Sequence, residues 1–129
     1  MLMTKEETGV VTEYLAKIFK LLGDPNRLKI LFSLAHEAKS VSEIMNETEL
    51  PQTLVSFHLK TLRNANILRA ERNATFIYYS LSDQRIMECI SAFLLLDGLE
   101  IRTEDRKQGF NGICNPQQMM SLMKGAFKL

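Results

Sequence analysis

The sequence has little cysteine, no tryptophan and no long apolar run. Two cysteines, Cys89 and Cys114, are too few for a disulfide framework. The longest apolar candidate, residues 92–96, is far shorter than the roughly 18 residues that a membrane helix needs. The N-terminal residues also lack the apolar run of a signal peptide. These absences predict a cytoplasmic protein with no membrane partner.

The chain also has almost no excess of one charge over the other, because the net formal charge is only +1 over 129 residues. The distribution is uneven, however. From residue 50 to 75 a single acidic residue, Glu71, stands among four cations: Lys60, Arg63, Arg69 and Arg72. Such a local basic surface attracts nucleic-acid phosphates, but a solvated helix face would show the same pattern.

Apolar spacing predicts a helix over residues 10–22 that ends at Gly23. A second helix opens with Asp24 as N-cap and Pro25 at its first position. That helix directs four residues inward: Leu28, Leu31, Leu34 and Ala35.

Ser40 and Glu43 are predicted to form a capping box, with reciprocal bonds between each side chain and the other residue's amide. After a break at residues 47–50, Pro51 starts a further helix. The apolar positions of that helix share one face and are Val55, Leu59 and Leu62.

The pattern becomes extended after Asn66. Residues 67–71 and 75–81 are predicted strands, joined by a turn at Arg72, Asn73 and Ala74. Ser82 and Asp83 then cap a last helix that is apolar on more than one face, as the first helix is. Either an intermolecular interface or the C-terminal extension covers such faces, and we favour dimerisation.

The predicted fold is therefore mostly α with a small β-hairpin wing, a winged helix-turn-helix with N- and C-terminal dimerisation helices. The DNA-binding and dimerisation domain spans residues 1–99. A C-terminal extension with a short Met-rich helix spans residues 100–129.

In this order of elements, the helix from Pro51 is the one that enters the major groove of DNA. Polar groups near its start suit base edges: Gln52, Thr53 and Ser56. Cations further along suit phosphates: Lys60 and Arg63. At the wing tip, Arg72 and Asn73 reach an adjacent minor groove or the backbone.

Four blocks in this order resemble the ArsR/SmtB family of bacterial and archaeal winged-helix repressors. They are LGDPNRLKIL at 22–31, SVSEI at 40–44, LVSFHLKTL at 54–62 and IYYSL at 77–81. The resemblance runs from about residue 19 to 81. It implies a homodimer whose interface is formed by the first and last core helices. Such a dimer binds an inverted-repeat operator in double-stranded DNA and is released by an effector, which the sequence does not identify.

The chain departs from the family pattern at three places. Pro51 replaces a capping serine, and Ala74 with Thr75 weakens a wing tip that often reads glycine and then a cation. Phe57 replaces a polar or basic residue, and it either contacts a thymine methyl or packs against the wing. His58 is common at its family position, where packing and a phosphate contact are both open.

The resemblance also implies where metals would bind, but the ligands are missing. Ser40 and Ser42 occupy the positions of two thiolates. At the second site Asp83 fits the first ligand, and the remaining positions hold Arg85, Leu96 and Leu99. No metal and no cofactor is therefore predicted.

Of the remaining candidates, His36 and Cys89 are predicted to be structural. Cys114 precedes three methionines, Met119, Met120 and Met123. Their sulfurs could bind Cu(I), or the methionines could pack on the dimer, and Cys114 itself could sense redox changes. The chain shows no glycine-rich cofactor motif, so we predict no enzyme. A protein-interaction module that binds no DNA is the alternative to a transcriptional regulator.

Overall fold

The structure is a computed structural model that describes residues 2–96. The elements are α1 (Lys5–Leu22), α2 (Pro25–Ser33), β1 (Lys39–Ser40), α3 (Val41–Thr48), α4 (Gln52–Asn64), β2 (Leu68–Asn73), β3 (Phe76–Leu81) and α5 (Arg85–Leu94). This confirms the prediction of a mostly helical fold with a β-hairpin wing. A boundary between two compact units falls between Ser82 and Asp83. The predicted extension at 100–129, with Cys114, lies outside the described residues.

The α1 helix starts five residues earlier than its apolar spacing predicts. Thr4 caps it, because the Thr4 hydroxyl accepts from the Glu7 amide at 3.2 Å and the Glu7 carboxylate accepts from the Thr4 amide at 2.8 Å. At the other end the prediction of Gly23 is confirmed. A Cβ on Gly23 would lie 3.0 Å from the Phe19 carbonyl oxygen, so only glycine fits without a shift.

The predicted cap of α2 is confirmed as well. Asp24 Oδ1 accepts from the backbone N–H groups of Asn26 at 2.8 Å and Arg27 at 3.1 Å. Pro25 follows at the first helical position, where the absence of an N–H has no cost.

One apolar core fills the first unit. Full burial of such side chains stabilises the fold by about 1.5–3 kcal/mol each. The members come from α2 and its C-cap, from α3, from α4 and from the hairpin: Ile30, Leu31, Leu34, Ile44, Val55, Leu59, Leu62, Leu68 and Leu81.

The sheet has the order β1-β3-β2 and is antiparallel throughout. Two-residue β1 pairs Ser40 with Tyr78, a strand that the sequence pattern does not predict. The predicted turn is wrong by two residues, because Arg72 and Asn73 belong to β2 and the chain reverses at residues 74–75. Ala74 has a φ of 58°, a conformation that favours glycine.

The second unit is described over residues 83–96. Gln84 is the N-cap of α5 and provides no side-chain cap bond, whereas Asp83, one residue earlier, accepts from the Arg85 amide through Oδ1 at 2.9 Å. Met87 and Ser91 are buried, whereas residues 92–96 are exposed. No helix within residues 2–96 is both long and apolar enough to cross a membrane.

Candidate nucleic-acid interface

The helix-turn-helix consists of α3, a three-residue turn and α4. Ser40 Oγ accepts from the Glu43 amide at 3.3 Å, which confirms half of the predicted capping box. The other half is wrong, because the Glu43 carboxylate accepts from the Ser40 hydroxyl rather than from its amide. Ser40 also belongs to β1, where its backbone lies opposite Tyr78. At the end of α3, Glu49 adopts a left-handed φ of 60° and turns the chain toward α4.

The α4 helix has two faces of different chemistry. Its predicted apolar positions are buried, and His58 is buried with them: Val55, His58, Leu59 and Leu62. At 3.6 residues per turn, the predicted contact residues lie on the other side. They are exposed to solvent: Gln52, Thr53, Ser56, Phe57, Lys60 and Arg63.

This exposed face of α4 is electropositive. Pro51 supplies no side-chain cap, so the first backbone N–H groups of the helix carry the positive end of its dipole without a capping acceptor. Lys60 and Arg63 add two cations, and neither forms a salt bridge with another residue of the described range 2–96. Anions are therefore attracted to the start of the helix and to the two cations further along.

Phe57 projects from the same face. Its side chain is 60% exposed, so the alternative of burial against the wing does not describe this structure. The ring packs edge to face with the His58 imidazole, with centroids 5.4 Å apart. Phe57 thus presents an apolar edge beside polar groups.

His58 is the one predicted contact residue that the structure removes from this surface. It is 4% exposed, and its Nδ1 accepts a hydrogen bond from Arg27 Nε at 3.2 Å. Of the two roles left open for His58, its burial therefore favours packing over a phosphate contact. No local pattern pointed to Arg27 as the partner, since 31 residues separate the two in the chain.

Asp24 completes the polar cluster around His58. Partial burial acts to raise the pKa of Asp24, but hydrogen bonds from the Arg27 and Asn26 amides and the electrostatic influence of the nearby His58 ring and Arg27 guanidinium outweigh it. The pKa of this carboxyl is therefore lowered, and Asp24 is ionised at neutral pH.

The wing presents Arg72 and Asn73 as exposed residues at the end of β2. Phe76 faces Asn73 across the turn and is also exposed. The wing tip therefore combines one cation with an amide and an aromatic ring.

Where the family resemblance implies metal ligands, the described residues have other roles. Ser40 is buried as a helix cap, and Asp83 pairs with Arg85 Nη2 at 2.7 Å. Residues 2–96 contain no cluster of three or more histidine, cysteine or acidic side chains that would hold a metal ion. His36 and Cys89, predicted to be structural, are both exposed.

The chain is similar to known transcriptional regulators over the residues that form the helix-turn-helix. The family model described as "Bacterial regulatory protein, arsR family" matches residues 24–70. An HTH-type transcriptional regulator of Methanocaldococcus jannaschii is 40% identical over 79 residues, which are 60% of this chain and 89% of that protein. The arsenical resistance operon repressor of Bacillus subtilis is 32% identical over 90 residues, which are 69% of this chain and 85% of the repressor.

Among solved structures, NolR from Sinorhizobium fredii has a TM-score of 0.65 and 32% identity, covering 78% of this chain and all of its own. The two sequence relatives are named as transcriptional regulators rather than as enzymes.

Proposed function

The chain belongs to the ArsR/SmtB family of winged helix-turn-helix transcriptional regulators, and we propose that it is a homodimeric repressor that binds an inverted-repeat operator and leaves it when an effector binds. The exposed polar and basic face of α4, opposite the buried Val55, Leu59 and Leu62, carries the proposal. The family consists of DNA-binding transcriptional regulators, and its members are not enzymes.

In this proposal α4 lies in the major groove, which is about 12 Å wide and admits one helix. Gln52, Thr53 and Ser56 contact base edges near the start of the helix. Lys60 and Arg63 contact phosphates further along, while Arg72 and Asn73 of the wing reach the neighbouring minor groove or backbone.

Dimerisation is supported by the exposure of α1. None of its residues is buried, and large apolar side chains lie open to solvent: Val10 is 70% exposed and Tyr14 is 65% exposed. Covering this face with a second copy of α1 would remove apolar surface from water and stabilise the pair. A two-fold dimer would present two α4 helices to the two halves of an inverted repeat.

In this proposal the effector is not a metal at either of the implied family sites, because Ser40 and Ser42 replace the thiolates of the first site and only Asp83 fits a ligand of the second. Redox sensing through Cys114 stays a prediction.

Selection of duplexes from a random library, followed by gel shifts of the selected duplex across a salt series, tests the proposal. We expect an inverted repeat to be selected, and the logarithm of the binding constant to fall linearly with the logarithm of the salt concentration. No binding even at low salt would contradict DNA binding and favour the protein-interaction alternative.

A further inference from the structure

The buried face of α4 contains one polar side chain among apolar neighbours. His58 Nδ1 accepts from Arg27 Nε at 3.2 Å, so the neutral ring carries its proton on Nε2. That Nε2 is buried, finds no hydrogen-bond partner within residues 2–96, and lies 4.0 Å from Asp24 Oδ1. The ring is therefore held by one directional bond, and a carboxylate stands near its other nitrogen.

Arg27 connects this ring to two other elements. Its Nη1 donates to the Leu21 carbonyl oxygen at 3.2 Å, in the last turn of α1, where carbonyl groups have no partner within the helix. Its backbone N–H donates to Asp24 at 3.1 Å, at the start of α2. Because the guanidinium is a rigid planar fork, Nε and Nη1 keep the His58 ring and the end of α1 at a fixed separation.

The rest of the contact surface of α4 is apolar. Val55, Leu59 and Leu62 are buried in it, and the hydrophobic effect that stabilises their contacts has no directionality. A partly buried polar pair adds little net stability over apolar residues of similar volume, and its best-attested use is to select one register.

We propose that Arg27 and His58 are positioning residues whose hydrogen bond fixes α4 relative to α1 and thereby sets the half-site spacing that the dimer reads. The inference rests on the proposed function, in which α1 joins the protomers and α4 enters the groove. The separation of two recognition helices follows from their placement about the dimer axis, so a shift of α4 within one protomer is repeated in the other.

The test uses the full chain and four duplexes that carry the selected half-sites. One has the selected spacing, and the others have one base pair removed, one inserted or two inserted between the half-sites. Each added base pair rotates one half-site by roughly 35° about the DNA axis.

Three variants separate position from stability. His58→Leu removes the acceptor and keeps an apolar core, Arg27→Lys keeps the charge but not the two-pronged fork, and His58→Asn retains an acceptor two bonds from Cβ. Denaturant unfolding of each variant, at one protein concentration, reports whether the fold is retained.

We expect the wild type to prefer the selected spacing by about tenfold over a one-base-pair insertion. His58→Leu and Arg27→Lys should reduce that preference to below about threefold. Both should lower the unfolding midpoint without abolishing the fold, because His58→Leu leaves the Arg27 Nε group without its acceptor and Arg27→Lys weakens the same bond. His58→Asn should retain the preference of the wild type.

Three outcomes would overturn the inference. A His58→Leu protein with the spacing preference of the wild type would show that the bond does not position α4. Equal loss of affinity on all four duplexes would assign the pair a merely structural role. A wild type that binds none of the duplexes would overturn the proposed function, and this inference with it.

Discussion

Ser56 and Lys60 lie one turn apart on the exposed face of α4, but they suit different parts of a duplex. Ser56→Ala removes a group placed for base edges, so we expect about a tenfold loss of discrimination between the selected operator and random DNA. Lys60→Ala removes a charge placed for phosphate, so we expect an equal loss on both duplexes and a salt slope lower by about one. Fluorescence anisotropy on the two duplexes measures both effects.

Lys5→Ala is the control, because Lys5 is exposed in the first turn of α1, outside the proposed DNA interface and on the side of α1 opposite Tyr14. It should leave both affinities and the salt slope as they are. Equal losses on specific and random DNA for Ser56→Ala would contradict its assignment to base contacts.

The faces of α4 could be predicted from the sequence because the helical period is a local property. Val55, Leu59 and Leu62 follow one another at spacings of three and four, and all three are buried. The burial of His58 could not be predicted in the same way. Its partner Arg27 lies in another helix, and only the tertiary fold brings the two side chains together.

At the scale of the element, α2 depends on Asp24 for its start. Asp24→Ala removes the acceptor of two amides, so we expect a loss of about 1 kcal/mol in the free energy of unfolding at neutral pH. Asp24→Asn keeps an acceptor of similar capping strength and should cost much less at that pH. Urea unfolding at one protein concentration measures both variants.

The pH dependence of that stability has a definite sign. Because the pKa of Asp24 is lowered from 3.8 in the folded protein, the contribution of the ionised form is present above pH 3.8 and is lost as the pH falls through the lower folded value. The stability difference between wild type and Asp24→Asn should therefore fall toward zero in acid. A difference that is constant from neutral pH to acid would contradict a role for the Asp24 charge.

Elements with local signals were predictable, whereas elements made by long-range pairing were not. The cap of α2 is written in consecutive residues, and the start of α1 was equally accessible through Thr4 and Glu7, a capping-box spacing that the apolar pattern overlooks. In contrast, β1 is two residues long and exists only because Lys39 and Ser40 pair with β3, almost forty residues later.

At the scale of the whole molecule, the exposed apolar face of α1 predicts the oligomeric state. We expect light scattering to give twice the 14.8 kDa of one chain at micromolar concentration. Tyr14→Glu should shift the protein toward the monomer, because a carboxylate placed in an apolar interface loses its hydration without gaining a partner. Operator affinity should fall with it, since one protomer reaches only one half-site.

Ala16→Glu provides the matched control for this change. Ala16 is exposed and lies two residues along α1 from Tyr14, which places it on nearly the opposite side of the helix. It introduces the same charge and the same side chain, so any difference between the variants reports the location rather than the chemistry of the substitution. Tyr14→Glu should dissociate the dimer and Ala16→Glu should not. A wild type that scatters as a monomer would instead favour the C-terminal extension as the cover for α1, and equal dissociation by both variants would place the interface elsewhere.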